Sequence, residues 1–264
     1  MNTKENHEKP YYGYRAVRYF IVALIAGGIV TIALAFIFTA WLSILCLVLG
    51  VVLLSSGVFG HLSMGWVNNP EKIELVKDNF LDRLGNVWTG NGKVLDIGTG
   101  LGHVAIEIAK RFPEAQVVGV DTWTKGWKLF GMTKAGAEKN ARIEGVSGRC
   151  TFQTDSALYL PFKEGGFQLV VSSFAFHEIK VPDRTVIIKE AVRVLAPGGV
   201  FVICDSFSSP LLKTYNVKNM PELHEKVQQM GVEDVKYESL KKAGVNLGVL
   251  THLWGIGYLS GWKV

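Results

Sequence analysis

Between Arg18 and Glu71 the chain carries no Asp, Glu, Lys or Arg. A stretch this long without charge must be covered by a large protein core or by lipid, and this restricts the fold more than any other feature. One helical crossing of a bilayer takes about 20 apolar residues, so the gap is too long for one span and fits two. The sequence predicts a first span over Tyr19–Phe38, a turn near Thr39, Ala40 and Trp41, and a second span over Trp41–Leu62. Gly27, Gly28, Gly50 and Gly57 would let two such helices approach closely. A secretory signal would have a much shorter apolar run followed by a small-residue cleavage site, and this segment has neither.

The flank before the first span mixes tyrosines with arginines from Tyr11 to Phe20, a composition suited to the headgroup region. Lys4, Lys9, Arg15 and Arg18 favour a cytoplasmic N-terminus, and two spans then return the chain to the cytoplasm. The expected layout is a tail over 1–18, a two-helix transmembrane hairpin over 19–66, a connecting helix and loop over 67–92, and a catalytic domain over 93–264. The bilayer is the expected partner of the hairpin, and the cell membrane the expected location. The domain carries its own complete pattern, so its core and its ligand affinity are expected to survive removal of residues 1–66.

The net charge of +5 is compatible with nucleic acid or with an anionic membrane surface. No Lys/Arg run of nucleic-acid-binding length occurs, and a modest positive balance beside an apolar hairpin matches anionic headgroups. Cys46, Cys150 and Cys204 are odd in number and form no CxxC pair, so they imply neither a disulfide framework nor a metal site.

From Lys93 onward, short apolar runs alternate with helical stretches. Lys93–Ile97, Gln116–Val120, Arg149–Thr154, Phe167–Ser172 and Val200–Cys204 read as strands. His103–Arg111, Lys125–Ile143 and Arg184–Leu195 read as helices, the last ended by Pro197-Gly198-Gly199. In the tail, Pro221–Met230 reads as a helix, and Val235–Leu240 and Gly248–Leu259 as two further strands. The alternation predicts an α/β fold with a mostly parallel sheet covered on both faces.

Such sheets bind ligands at the carboxyl ends of their strands. The first strand runs into Asp96-Ile97-Gly98-Thr99-Gly100-Leu101-Gly102. A dinucleotide loop would place its third glycine at 103, which is His103; the spacing here is GxGxG instead. The second strand ends at Asp121, where an acid can accept hydrogen bonds from ribose hydroxyls. The third ends at Asp155-Ser156, where a carboxylate can accept from an adenine amino group.

Over roughly Asn79 to Leu212 this set resembles the class I S-adenosylmethionine-dependent methyltransferases. Val94–Gly102 is similar to the family's first motif, Phe167–Glu178 to its fourth, and Arg193–Gly199 to the turn before the fifth strand. The resemblance implies a Rossmann-like sheet whose last strand is antiparallel, with S-adenosylmethionine as methyl donor and no metal. It also implies a donor site built from Asp96, Gly98, Thr99, Gly100, Gly102, Asp121, Thr122, Trp123, Asp155, Ser156 and Ser172, with Trp123 stacking on adenine. Within the class the chain looks most like the branch that methylates quinones, sterols and phospholipids. It departs from the pattern at Gln168, where the family often has Asp. It also lacks the Asn/Asp-Pro-Pro-aromatic tetrapeptide of many base and amide methylases, which counts against nucleic-acid substrates.

The implied reaction is an in-line displacement at a sulfonium methyl, in which the protein aligns the acceptor and excludes water. A base is needed only where the acceptor must lose a proton, and His177, just after the fourth strand, is the candidate. His103 reads as a cap or donor contact, and Trp127 and Phe130 as core or bilayer-facing residues. A lipid or prenylated quinone precursor is the leading acceptor. A soluble metabolite, a non-catalytic donor-binding membrane protein and a nicotinamide-dependent oxidoreductase are the alternatives open at this level.

Overall fold

The computed structural model describes residues 9–128, 131–248 and 251–264. Lys4 and Phe130 lie outside the described residues, as do the side chains of Arg15 and Trp127. The chain divides into two units: Gly13–Val76 with Asn246–Leu253, and the N-terminal segment through Tyr12 with Lys77–Val245 and Trp254–Val264.

The first unit is built on helices α1 (Tyr14–Leu34) and α2 (Ala40–Met64). They pack antiparallel through their glycines: Gly28 faces Gly50 and Leu54, Gly50 faces Ile32, and Gly57 faces Ile25. A Cβ on Gly28 would lie 2.6 Å from the Leu54 nitrogen and 2.9 Å from the Gly50 oxygen, so the two backbones touch there. Among the described residues, Ala40–Ser63 is the one helix long and apolar enough to cross a membrane. Of the two expected spans, the second is matched by this helix. Helix α1 runs over 21 residues, a rise of about 31 Å against a hydrocarbon core of about 30 Å, and its described apolar stretch is Arg18–Leu34. The helix stops at Leu34 rather than Phe38 because the last turn tightens. Phe36 N–H donates to Ala33 O and Ile37 N–H to Leu34 O, and Ala40 turns the chain at φ 53°.

Helix α3 (Pro70–Val87) follows, opening with Pro70 and Glu71 in its first turn. Its second half belongs to the other unit, where Phe80 and Leu84 are buried. The Arg83 guanidinium lies 4.4 Å from the centre of the Tyr258 ring and pairs with Glu238. The Tyr258 hydroxyl donates to Asn79 Oδ1 at 2.8 Å.

The second unit carries a seven-stranded mixed sheet: β1 (Gly92–Ile97), β2 (Ala115–Asp121), β3 (Cys150–Thr154), β4 (Phe167–Ser173), β5 (Leu195–Ser206), β6 (Val232–Ser239) and β7 (Ile256–Lys263). Its order is β3-β2-β1-β4-β5-β7-β6. β1 pairs in parallel with β2 and β4, and β7 runs antiparallel to β5 and β6. The Val/Ile/Leu runs of the central strands, residues 94–97, 169–172 and 200–206, are buried on both faces. Covering helices are α4 (His103–Arg111), α6 (Lys134–Ile143), α7 (Thr185–Val194) and α9 (Met220–Gln228), with short turns α5 (Lys125–Lys128) and α8 (Ser209–Leu212).

Three predicted elements of this unit differ. β5 begins at Leu195 rather than Val200, so Pro197-Gly198-Gly199 lies within the strand, where its register against β4 shifts. Lys125–Ile143 is two helices, because Gly131 takes φ 77° and the Thr133 hydroxyl caps a new start by accepting from Gly136 N–H at 3.0 Å. The last strand begins at Ile256, not Gly248: Gly248 has φ 139° and Thr251–Trp254 form a 3₁₀ turn. Gln168 has a plain structural use, accepting from Lys93 N–H at 2.7 Å at the end of β1 remote from the glycine loop.

Candidate functional site

Strand order reverses between β1 and β4, and the loops after these strands meet. Gly98 has φ 76°, and a Cβ there would fall 2.1 Å from the Ala175 Cβ, so the loop after β4 lies directly on the glycine loop. Gly100 has φ 55°, and a Cβ there would meet no atom within 4 Å, which leaves open space over the loop. Gly102 has φ 80° and opens α4.

Asp96 is 1% exposed, and its Oδ2 has no hydrogen-bond partner among the described residues. Burial pushes its carboxyl up to about 7; the Thr99 hydroxyl opposes this, the Asp121 charge adds to it, and the Ala105 backbone opposes it. Asp121 is fixed from both sides, Oδ2 accepting from Gly100 N–H at 3.0 Å and Oδ1 from Trp123 N–H at 2.9 Å. Each oxygen keeps a second lone pair. Asp155 N–H donates to the Asp121 carbonyl at 3.1 Å, which brings the two acids to adjacent strand ends. Thr122 and Ser156 are exposed, and the Ser156 hydroxyl accepts from Leu158 N–H at 3.2 Å.

Two residues do different work from that expected. Ser172 is fully buried and its hydroxyl donates to Ile97 O at 2.8 Å, so it ties β4 to β1 and faces no ligand space. Trp123 is 3% exposed at φ 40°, and its indole N–H donates to Gly100 O at 2.8 Å. A ring that stacks on adenine presents a face; here the ring is folded onto the glycine loop and holds it.

His177 stands in the turn after β4, in the segment that lies against Gly98. Its Nδ1–H donates to Asp205 Oδ1 at 2.6 Å, and its Nε2 is 3.3 Å from Glu178 Oε1. Burial alone would lower the imidazole, but the hydrogen bonds and charges of Asp205 and Glu178 outweigh it and hold its pKa up at about 9. Asp205, at the end of β5, is completely buried and also accepts from Phe176 N–H at 2.7 Å and Ser206 N–H at 2.6 Å. Arg184 supports the same turn, donating to His177 O at 2.7 Å and Ile179 O at 3.2 Å. Sequence reasoning missed both Asp205 and Arg184. Asp205 follows the apolar run of β5 and so carries the strand-end signal that singled out Asp96, Asp121 and Asp155.

A glycine loop and acids at successive strand ends, on a sheet of this order, form the arrangement that the resemblance to class I S-adenosylmethionine-dependent methyltransferases implies. Residues 94–199 match the family described as methyltransferase domain. Among curated proteins, the ubiquinone/menaquinone biosynthesis C-methyltransferase of Geobacter sulfurreducens is 36% identical over 124 residues, covering 47% of this chain and 44% of that protein. The demethylmenaquinone methyltransferase of Thermus thermophilus is 34% identical over 113 residues, 43% of this chain and 46% of its own. The chain thus spans about half the length of the curated relatives it matches. Among solved structures, an S-adenosylmethionine-dependent methyltransferase from Methanosarcina mazei superposes with TM-score 0.50 at 18% identity, covering 69% of this chain and 96% of that one. The [4+2]-cyclase SpnF gives TM-score 0.51 at 20% identity, covering 70% and 81%. At these identities the likeness is one of fold.

Proposed function

We propose that the chain is a membrane-anchored S-adenosylmethionine-dependent methyltransferase that methylates a lipophilic small molecule, with a quinol-type ring as the leading acceptor. The observation that carries the donor assignment is the buried Asp96 oxygen with no hydrogen-bond partner among the described residues, at the end of the strand that leads into the glycine loop. A buried carboxyl whose pKa stands near neutrality gains most from a cationic partner, and the donor's ammonium is one. Asp96 and the Gly98–Gly102 backbone would hold the methionyl end, Asp121 the ribose and Asp155 the adenine. The donor, when bound, supplies a methyl group on a sulfonium, a leaving group that needs no acid. The chain's own part is to fix the loop through Asp121 and Trp123, align the acceptor against Ala175–His177 and keep water out.

His177 is the proposed residue for the acceptor's proton. Glu178 is half-exposed and holds the Nε2 side of the ring, so an acceptor hydroxyl reaches that nitrogen by displacing it. The quinol assignment draws on the quinone-biosynthesis methyltransferases that this chain is similar to and on the apolar helix α2 within the same chain. We read α1 and α2 as both membrane-embedded, with both chain ends on the cytoplasmic face; tags at either end should resist protease in intact cells.

The test is S-adenosylhomocysteine release by the full chain in detergent, on addition of a short-chain hydroquinone or of water-soluble amines and acids. Turnover with the hydroquinone supports the proposal. Turnover with the soluble acceptors alone replaces the lipophilic reading, and no turnover with tight donor binding supports a non-catalytic protein.

A further inference from the structure

Asn140 on α6 is 3% exposed, and its side-chain amide makes three hydrogen bonds. Its Oδ1 accepts from Tyr11 N–H at 3.0 Å, and its Nδ2 donates to Tyr11 O at 2.8 Å and to Leu101 O at 3.0 Å. One amide therefore reads both backbone groups of a residue 129 positions away, as a neighbouring strand would, and ties it to the glycine loop. The next residue continues the crossing: the Tyr12 ring lies against the His103 ring with centroids 4.3 Å apart at 32°. Leu101 and His103 flank Gly102, so the N-terminal segment is fastened on both sides of the last glycine of the loop.

Such a fastening matters because Gly98, Gly100 and Gly102 are all in the left-handed region. Glycine loses more conformational freedom on ordering than any other residue, and a loop of three would otherwise be ordered at the expense of donor affinity. Burying an amide is favourable only when its bonds are made, and Asn140 makes both of its donations and one acceptance here. A helix position without function has no need of an amide so placed; Ala would serve at lower cost.

We propose that Lys9–Tyr12 is a wall of the donor site, held across the glycine loop by Asn140 and closed onto its helix end by Tyr12. This rests on the donor reading above. It makes Asn140 and Tyr12 positioning residues for S-adenosylmethionine, and it places the wall one residue, Gly13, before helix α1.

The experiment uses the full chain in detergent micelles. Calorimetric titration with S-adenosylmethionine compares wild type, Tyr12→Ala, Asn140→Ala and the double variant. Each single change is expected to weaken binding about tenfold, the scale of one lost well-made contact. The double variant should be no weaker than about the weaker single, because both act through one strap. Hydrogen exchange supplies a second readout: saturating donor should slow exchange of the Tyr11 amide in wild type and leave it unchanged in Asn140→Ala. Asn140→Ala also removes the bond to Leu101, so Tyr12→Ala, which breaks no buried hydrogen bond of Asn140, decides if the former fails to fold. Wild-type affinity in Tyr12→Ala, with no donor effect on Tyr11 exchange, would overturn the proposal. A wild type that does not bind the donor would overturn the donor reading itself, a separate result.

Discussion

His177 sits between two carboxylates, and its protonation decides what it can do. The ring is held in the imidazolium form up to about pH 9 by Asp205 and Glu178. If it takes the acceptor's proton, kcat/KM should rise with pH and level off near 9. Asp205→Asn should move that rise toward the ordinary imidazole value near 6.5. A profile flat from pH 6 to 9.5 would remove His177 from proton transfer. The same shift has a stability consequence. Its folded pKa lies above its unfolded one, so the stabilisation is complete below about pH 6.5 and is lost as pH rises through about 9. His177→Gln should therefore lose more relative to wild type at pH 6 than at pH 10 in thermal melts. On the donor side, Asp121→Ala removes the anchor of Gly100 and Trp123 together. Donor binding should weaken by about 1.5–3 kcal/mol, and equal titrations of variant and wild type would reject the ribose assignment. The acids at strand ends were legible because a charge at the end of an apolar run stands out. Asn140 and the His177–Asp205 pair were not, since their partners lie 129 and 28 residues away and no local pattern announces them.

At the scale of elements, helix packing in the hairpin gives a contrast between adjacent glycines. A Cβ on Gly28 would strike the Leu54 and Gly50 backbones at 2.6 and 2.9 Å, whereas on Gly27 it would only touch Leu53 Cδ1 at 4.0 Å. Gly28→Ala should cost about 1–3 kcal/mol of hairpin stability by overpacking, and Gly27→Ala should cost nothing or stabilise. Equal melting of the two variants in detergent would show that α1 and α2 do not pack as described. Strands and helices of the sheet were readable because each has a buried face with a fixed period. The boundaries that moved are set by backbone conformation: φ 77° at Gly131 splits one predicted helix, φ 139° at Gly248 delays β7, and the tight turn after Leu34 ends α1 there. Glycine composition alone does not say which glycine will turn.

For the whole molecule, the sequence divides at the end of the charge-free stretch, and the structure divides elsewhere. Lys9–Tyr12 and the second half of α3 belong with the sheet, through Asn140 and through the contacts of Asn79 and Arg83 with β6 and β7. The tyrosines before α1 suited a headgroup flank when read alone, and only the fold brings Tyr12 to His103. If the wall proposal holds, residues 1–66 are not dispensable for donor binding. Removing residues 1–12 should weaken donor binding about as much as Tyr12→Ala, even though every strand of the sheet is retained. The central claim, methyl transfer to a lipophilic acceptor, is tested most directly by giving methyl-labelled S-adenosylmethionine to membranes that carry the protein and extracting them with organic solvent. With labelled donor well below the wild-type Kd, label should enter the lipid extract with wild type and fall at least about tenfold with Asp121→Ala; label confined to the aqueous phase with wild type, or an extract equally labelled by Asp121→Ala at that donor concentration, would contradict it.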